Sequence, residues 1–123
     1  VPASRGDSTR AELRNPDPAC NPYLAFALLL AAGMDGIENN LTPPEAVTSN
    51  IYDIDEQGRK DRNIESLPSD LKSAVAAMRE DPLVERVLGK HIFSKYVEAK
   101  EKEWHEFSTT VTGWELKEYL DKF

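Results

Sequence analysis

The chain has 123 residues, 40% of them hydrophobic and 30% charged, proportions that suit one soluble folding unit and exclude disorder throughout. Fifteen basic side chains stand against 22 acidic ones, and the formal charge of −7 opposes binding to nucleic acid or to an anionic membrane surface. The single cysteine, Cys20, closes no intrachain disulfide, which fits a reducing, cytoplasmic setting.

The charge is unevenly spread: Arg5, Arg10 and Arg14 outnumber Asp7 and Glu12, so the first 14 residues form a positive island. Thr9 to Arg14 alternate polar and apolar, the period of a half-buried strand, which places Arg10, Glu12 and Arg14 on one face. Asn15-Pro16-Asp17-Pro18 ends that strand, because closely spaced prolines break a ladder. Asn21 follows as a helix N-cap, with Pro22 at the first helical position. The helix it opens runs to about Asp35 and is apolar almost all round, through Leu24, Phe26, Leu28, Leu29 and Leu30, so the pattern predicts burial. Its uninterrupted apolar run, Tyr23 to Ala32, is about half of what a membrane span needs, and no signal-peptide pattern opens the chain. The start on Val1, directly in strand-like sequence, predicts a piece of a longer chain.

Residues 39–68 read as an irregular loop, with Pro43, Pro44, Asn50, Gly58 and Pro68, interrupted by a short helical turn near Glu56. Beyond it Leu71, Val75 and Met78 mark a helix behind a Ser69 cap, and Asp81-Pro82 restarts the helix. Leu83, Val84, Val87 and Leu88 share a stripe that stops at Gly89. The longest helix, Lys90 to Thr110, carries Ile92, Phe93, Tyr96, Val97, Trp104 and Phe107 on its apolar side. Thr112 and Glu115 form a capping box for a tail helix over residues 112–123, striped by Leu116, Tyr119, Leu120 and Phe123. The expected class is α+β and helix-dominated, with one strand region and a buried helix over residues 1–38 and helices over 69–110.

Arg10, Glu12 and Arg14 lie about 6.6 Å apart in turn along an extended strand. Arginine binds carboxylate or phosphate oxygens bidentately, and glutamate offers the hard oxygen that Mg²⁺ or Mn²⁺ prefers, so the face suits anions and a metal together. The same spacing also describes a solvated strand with cross-paired salt bridges, and spacing alone does not separate the two.

Longer runs do. Val-Pro-Ala-Ser-Arg-Gly, Thr-Arg-Ala-Glu-Leu-Arg, Asn-Pro-Asp-Pro-Ala-Cys-Asn-Pro-Tyr-Leu-Ala-Phe and Ala-Ala-Gly-Met-Asp-Gly-Ile-Glu-Asn-Asn fill most of residues 1–40. In this order they closely resemble the C-terminal catalytic region of type I glutamine synthetases. The resemblance continues through Asn50-Ile51-Tyr52, Ser66-Leu67-Pro68 and Glu98-Ala99-Lys100. It implies a cytoplasmic ligase that forms L-glutamine from L-glutamate, ammonia and ATP with Mg²⁺ or Mn²⁺, assembled as a homo-oligomeric double ring. By the same resemblance Glu12 is a metal ligand, Arg14 contacts the substrate glutamate, and Arg10 neighbours the nucleotide phosphates. No catalytic residue is assigned within the chain, since the family's other metal ligands, ammonia-site aspartate and flap glutamate lie upstream, and the isolated piece is expected to be inactive. Where the family often carries a lysine, this chain has Gly6-Asp7-Ser8.

Tyr52 resembles the tyrosine that one branch of the family adenylylates, but the following Ile54-Asp55-Glu56-Gln57-Gly58 departs from that branch's pattern. His91 and His105 stand fourteen apart without metal-ligand neighbours and read as surface residues, and Cys20 reads as a small packing residue. Trp104, Phe107 and Trp114 read as core or subunit contact rather than a ligand-stacking set. An alternative function is an assembly and docking module, in which the helices after Ser69 bind other subunits or a nitrogen-regulatory protein.

Overall fold

Backbone caps and stops decide where each helix begins and ends in the computed structural model, which describes residues 6, 7 and 9–122. Residues 1–5, Ser8 and Phe123, including Arg5 of the positive island and the end of the tail stripe, lie outside the described residues. The chain divides into two units, Val1–Leu67 and Pro68–Phe123.

In the first unit the expected strand does not form, and the class is all-helical among the described residues rather than α+β. Residues 9–14 carry no strand assignment, although their alternation is strand-like. A strand is completed by the hydrogen bonds of a neighbour, and none of the described residues supplies a pairing edge.

Helix α1, Pro22–Glu38, starts where Asn21 turns its side-chain oxygen onto the backbone N–H groups of Tyr23 and Leu24, at 3.0 and 3.3 Å. It outruns the expected end near Asp35 because Gly36 does not stop it; Asn40 does. Asn40 adopts φ +52°, and the N–H of Leu41 reaches back to the Gly36 carbonyl at 2.9 Å, the closure in which a left-handed residue ends a helix. Its burial is also corrected: α1 contributes no buried residue, and Tyr23, Phe26 and Leu30 are largely exposed. An apolar helix leaves water only when another element lies against it, and among the described residues none does.

A 3-10 turn, Ile51–Asp53, and helix α2, Glu56–Asp61, follow. Asp55 caps α2 by accepting the Gly58 N–H at 2.8 Å, an approach so close that a Cβ on residue 58 would meet Asp55 Oδ1 and Ile54 Cγ2, each at 2.9 Å. The stop seen in α1 recurs here, with Asn63 at φ +52° and the Ile64 N–H on the Arg59 carbonyl at 2.9 Å.

The second unit is a helical hairpin followed by a short helix. Helix α3, Leu71–Glu80, is capped one residue later than the sequence pattern predicts, by Asp70 rather than Ser69. The Asp70 carboxylate accepts the Ser73 N–H at 2.7 Å, and the Ser73 hydroxyl oxygen accepts the Asp70 backbone N–H at 3.3 Å. A carboxylate is the better cap because it also meets the positive end of the helix dipole. Helix α4, Pro82–Thr109, opens on Asp81, whose side chain accepts the Leu83 N–H at 2.9 Å. It is interrupted at Gly89, where φ +73° and ψ 150° lie outside helical space. The Thr109 and Thr110 hydroxyls close its end by bonding the carbonyls of His105 and Glu106, at 2.8 and 2.6 Å.

Helix α3 packs on α4, and the seam buries Val75, Leu88 and Val97. Arg79 on α3 and Glu101 on α4 pair across it at 2.8 Å, but both are half exposed, so the pair orients more than it stabilises. Helix α5, Gly113–Tyr119, has the Thr112–Glu115 capping box and packs against neither α3 nor α4. No helix among the described residues is long and apolar enough to cross a membrane.

Gly89 is required by its backbone angles, since a Cβ there would touch nothing. Gly89→Ala is expected to destabilise the chain by about 1–3 kcal/mol, the range for forcing a side chain into glycine-only backbone space, and urea unfolding measures it. An unchanged midpoint would mean that α4 runs straight. The caps also set a pH dependence. Hydrogen bonds from the Ser73 and Thr112 backbones hold the Asp70 and Glu115 carboxyls below their ordinary values. Groups lowered on folding stabilise above their unfolded pKa and lose that contribution as pH falls through the folded value. Far-ultraviolet circular dichroism should therefore be flat from neutral pH to about pH 5 and lose helix signal below it. Asp70→Asn, a neutral cap, should flatten the α3 share of that loss.

Candidate functional site

Two turns fix the ends of the Arg10–Arg14 segment. Before it, the Thr9 N–H donates to the Gly6 carbonyl at 2.9 Å while the Gly6 N–H donates to the Thr9 hydroxyl at 3.0 Å. After it, Asp17 accepts the Ala19 N–H on its side chain at 2.8 Å and the Cys20 N–H on its carbonyl at 2.9 Å. That second turn leads directly into the Asn21 cap, so the strip is tied to the start of α1.

Between the turns, the extended backbone does bring the three charged residues together. Glu12 sits in the middle with its two carboxylate oxygens divided: Oε1 is paired with Arg10, and Oε2 accepts from Arg14 Nη2 at 2.8 Å. The Arg14 bond and then the Arg10 bond hold the Glu12 carboxyl below its ordinary pKa, so it is ionised at neutral pH. Glu12 in turn raises Arg14. The strip carries one net positive charge. Arg14 is 88% exposed and commits one nitrogen to Glu12, which leaves a guanidinium with further donors facing solvent.

A divalent ion with up to six oxygen ligands does not fit the strip by itself. Among the described residues no three His, Cys, Asp or Glu side chains are gathered to hold a metal, and both Glu12 oxygens already have arginine partners. His91 and His105 are exposed on α4, and Cys20 is a half-buried free thiol. Tyr52, on the 3-10 turn that Asn50 caps, is almost fully exposed. Trp104 and Phe107 lie 6.0 Å apart on α4, and Trp114 meets Tyr119 edge-on at 5.9 Å within α5, two separate pairs rather than one stacking set. A feature that periodicity did not reveal is the hollow at the end of α2, whose lining includes Arg59 and Glu65. Its signal, an asparagine in left-handed backbone at position 63, is a turn residue that pattern counting passes over.

The family model described as glutamine synthetase, catalytic domain, matches residues 1–119. Glutamine synthetase of Thermotoga maritima is 55% identical over 120 residues, covering 98% of this chain and 27% of the relative. That of Methanosarcina mazei is 52% identical over 120 residues, with the same coverage of 98% and 27%. A solved structure described as apo GmaS without ligand superposes with a TM-score of 0.69 at 33% identity, over 89% of this chain and 25% of that one. The chain thus spans about a quarter of the length of these relatives. Similarity that runs without a break from the charged strip into the tail helix makes this chain a member of the glutamine synthetase catalytic-domain family.

Proposed function

We propose that this chain is part of a glutamate–ammonia ligase, and that the Arg10–Glu12–Arg14 strip is its contribution to the substrate and nucleotide site. The observation that carries the reading is the strip's geometry, one carboxylate held between two permanently charged guanidinium groups, in a chain of this family. The reaction moves the terminal phosphoryl group of ATP onto the γ-carboxylate of L-glutamate, and ammonia then displaces phosphate to give L-glutamine. Both ATP and glutamate bring negative charge, so the residues that serve them are cations fixed where that charge accumulates.

In this reading Arg14 receives a carboxylate of glutamate on the donors that Glu12 does not use. Arg10, on the other side of Glu12, faces the nucleotide phosphates. Glu12 orients both arginines and is one ligand of a Mg²⁺ or Mn²⁺ ion whose remaining ligands come from outside this chain, since the described residues do not complete a site. The setting is cytoplasmic, and the 123-residue chain alone is expected to turn over no substrate.

In the full-length protein, Glu12→Ala is expected to raise the metal concentration needed for half-maximal glutamine synthesis by roughly 10–100-fold, the range for weakening a metal's ligand set. A Mg²⁺ titration of initial rates measures it, and an unchanged curve would return the strip to a surface ion-pair cluster.

A specific observation also favours the second reading, in which the tail is an assembly and docking surface. Trp114, Leu116, Tyr119 and Leu120 on and beside α5 are all exposed, although they form one apolar stripe. Such a stripe is stable against another subunit of a double ring or a nitrogen-regulatory protein. Removing residues 113–123 from the full-length protein should lower its assembled mass in light scattering while leaving the helix content of the remainder in place. Assembly indistinguishable from that of the intact protein would discard this role.

A further inference from the structure

Between the charged strip and α1 the backbone has little freedom of its own. Pro16 and Pro18 each lock their own φ, and each prolyl ring pushes the residue before it, Asn15 or Asp17, towards extended backbone. The chain still has to turn there, because an extended strip gives way to a helix whose cap is Asn21. Asp17 makes that corner. Its carbonyl accepts the Cys20 N–H at 2.9 Å, which closes a turn with Pro18 at the second position, where proline is favoured. Its side-chain Oδ1 accepts the Ala19 N–H at 2.8 Å, a second closure of the same corner. The next donors, on Tyr23 and Leu24, are taken by Asn21. Each of these bonds joins residues at most three positions apart, so the corner is complete within its own segment.

Only Asn15 and Pro16 separate Arg14 from the corner. The Arg14 guanidinium is fixed at one nitrogen by Glu12, so the direction of its remaining donors follows the backbone that the corner orients. Arg10 lies on the far side of Glu12, and its end of the strip is closed by a separate turn, the pair of bonds between Gly6 and Thr9. A disturbance at Asp17 therefore reaches Arg14 before it reaches Arg10.

We propose that Asp17 is a positioning residue for Arg14: its short side-chain acceptor, rather than its charge, holds the corner that aims the Arg14 guanidinium at the substrate carboxylate. The role rests on the reading of Arg14 as the group that receives glutamate, and it belongs to a residue that touches no substrate.

The experiment is steady-state glutamine synthesis by the full-length protein, with KM measured separately for L-glutamate and for ATP. Asp17→Ala removes the acceptor, and Asp17→Glu keeps the charge but carries the carboxylate one methylene too far to close the turn. Both should raise KM for L-glutamate at least about fivefold, the factor that one lost hydrogen bond amounts to, with KM for ATP within about twofold of the unmodified protein. Asp17→Asn keeps an oxygen acceptor at the same distance and should behave as the unmodified protein. Beside Arg14→Gln, Asp17→Ala should raise KM for L-glutamate little further, since a residue that acts through Arg14 has no second route. If Asp17→Ala fails to fold, the contrast between Asp17→Glu and Asp17→Asn still decides. Asp17→Asn as defective as Asp17→Glu, an equal rise in both KM values, full additivity with Arg14→Gln, or unchanged kinetics in all three Asp17 variants would each overturn the positioning role. Arg14→Gln with an unchanged KM for L-glutamate would overturn the reading of the strip as well, which tells the two failures apart.

Discussion

The seam between α3 and α4 is where this chain removes apolar side chains from water, and its other elements are organised without that support. Val75, Leu88 and Val97 are the buried apolar residues among those described. Hydrophobic burial is the main force that offsets the conformational entropy of folding, so a short seam can hold one hairpin but cannot order a whole chain. The remaining helices are instead defined at their ends. Asn21, Asp55, Asp70, Asp81 and Thr112 each accept a backbone N–H at a helix start, and Asn40 and Asn63 close two helices in left-handed backbone. Caps place a boundary, but they contribute little to holding one helix against another.

That division explains the two uncovered apolar faces, on α1 and on α5. Both are sequences that a globular protein buries, and both face solvent within this chain. The relatives that it matches are nearly four times as long, so the packing surfaces of a complete family member include much that lies outside these residues. The charged strip has the same character at the level of chemistry. Glu12 is ionised and held, Arg14 is available, and the arrangement is organised without being a complete site.

The distribution of ion pairs makes a related point. Among the described residues most ion pairs off the strip are local, three or four positions apart, as Lys60 with Glu56 and Lys95 with Glu98, through exposed contacts of small energetic weight. Against that background the strip stands out because one carboxylate serves two arginines.

Local chemistry was legible in the sequence by itself. The Asn21 cap with Pro22, the restart at Asp81-Pro82, the Thr112–Glu115 box, the break at Gly89 and the shared face of Arg10, Glu12 and Arg14 all depend on residues within a few positions of one another. Such interactions travel with the sequence wherever it is placed. The three-dimensional structure decided what depends on partners. Alternation at residues 9–14 cannot form a strand without a neighbouring edge, and the apolar surface of α1 cannot be buried without an element to cover it. The helix stops at Asn40 and Asn63 were also settled there, since asparagine tolerates both helical and left-handed backbone and only the closing hydrogen bond selects one. Periodicity records which face of an element is apolar; whether that face meets protein or water is a property of everything packed around it.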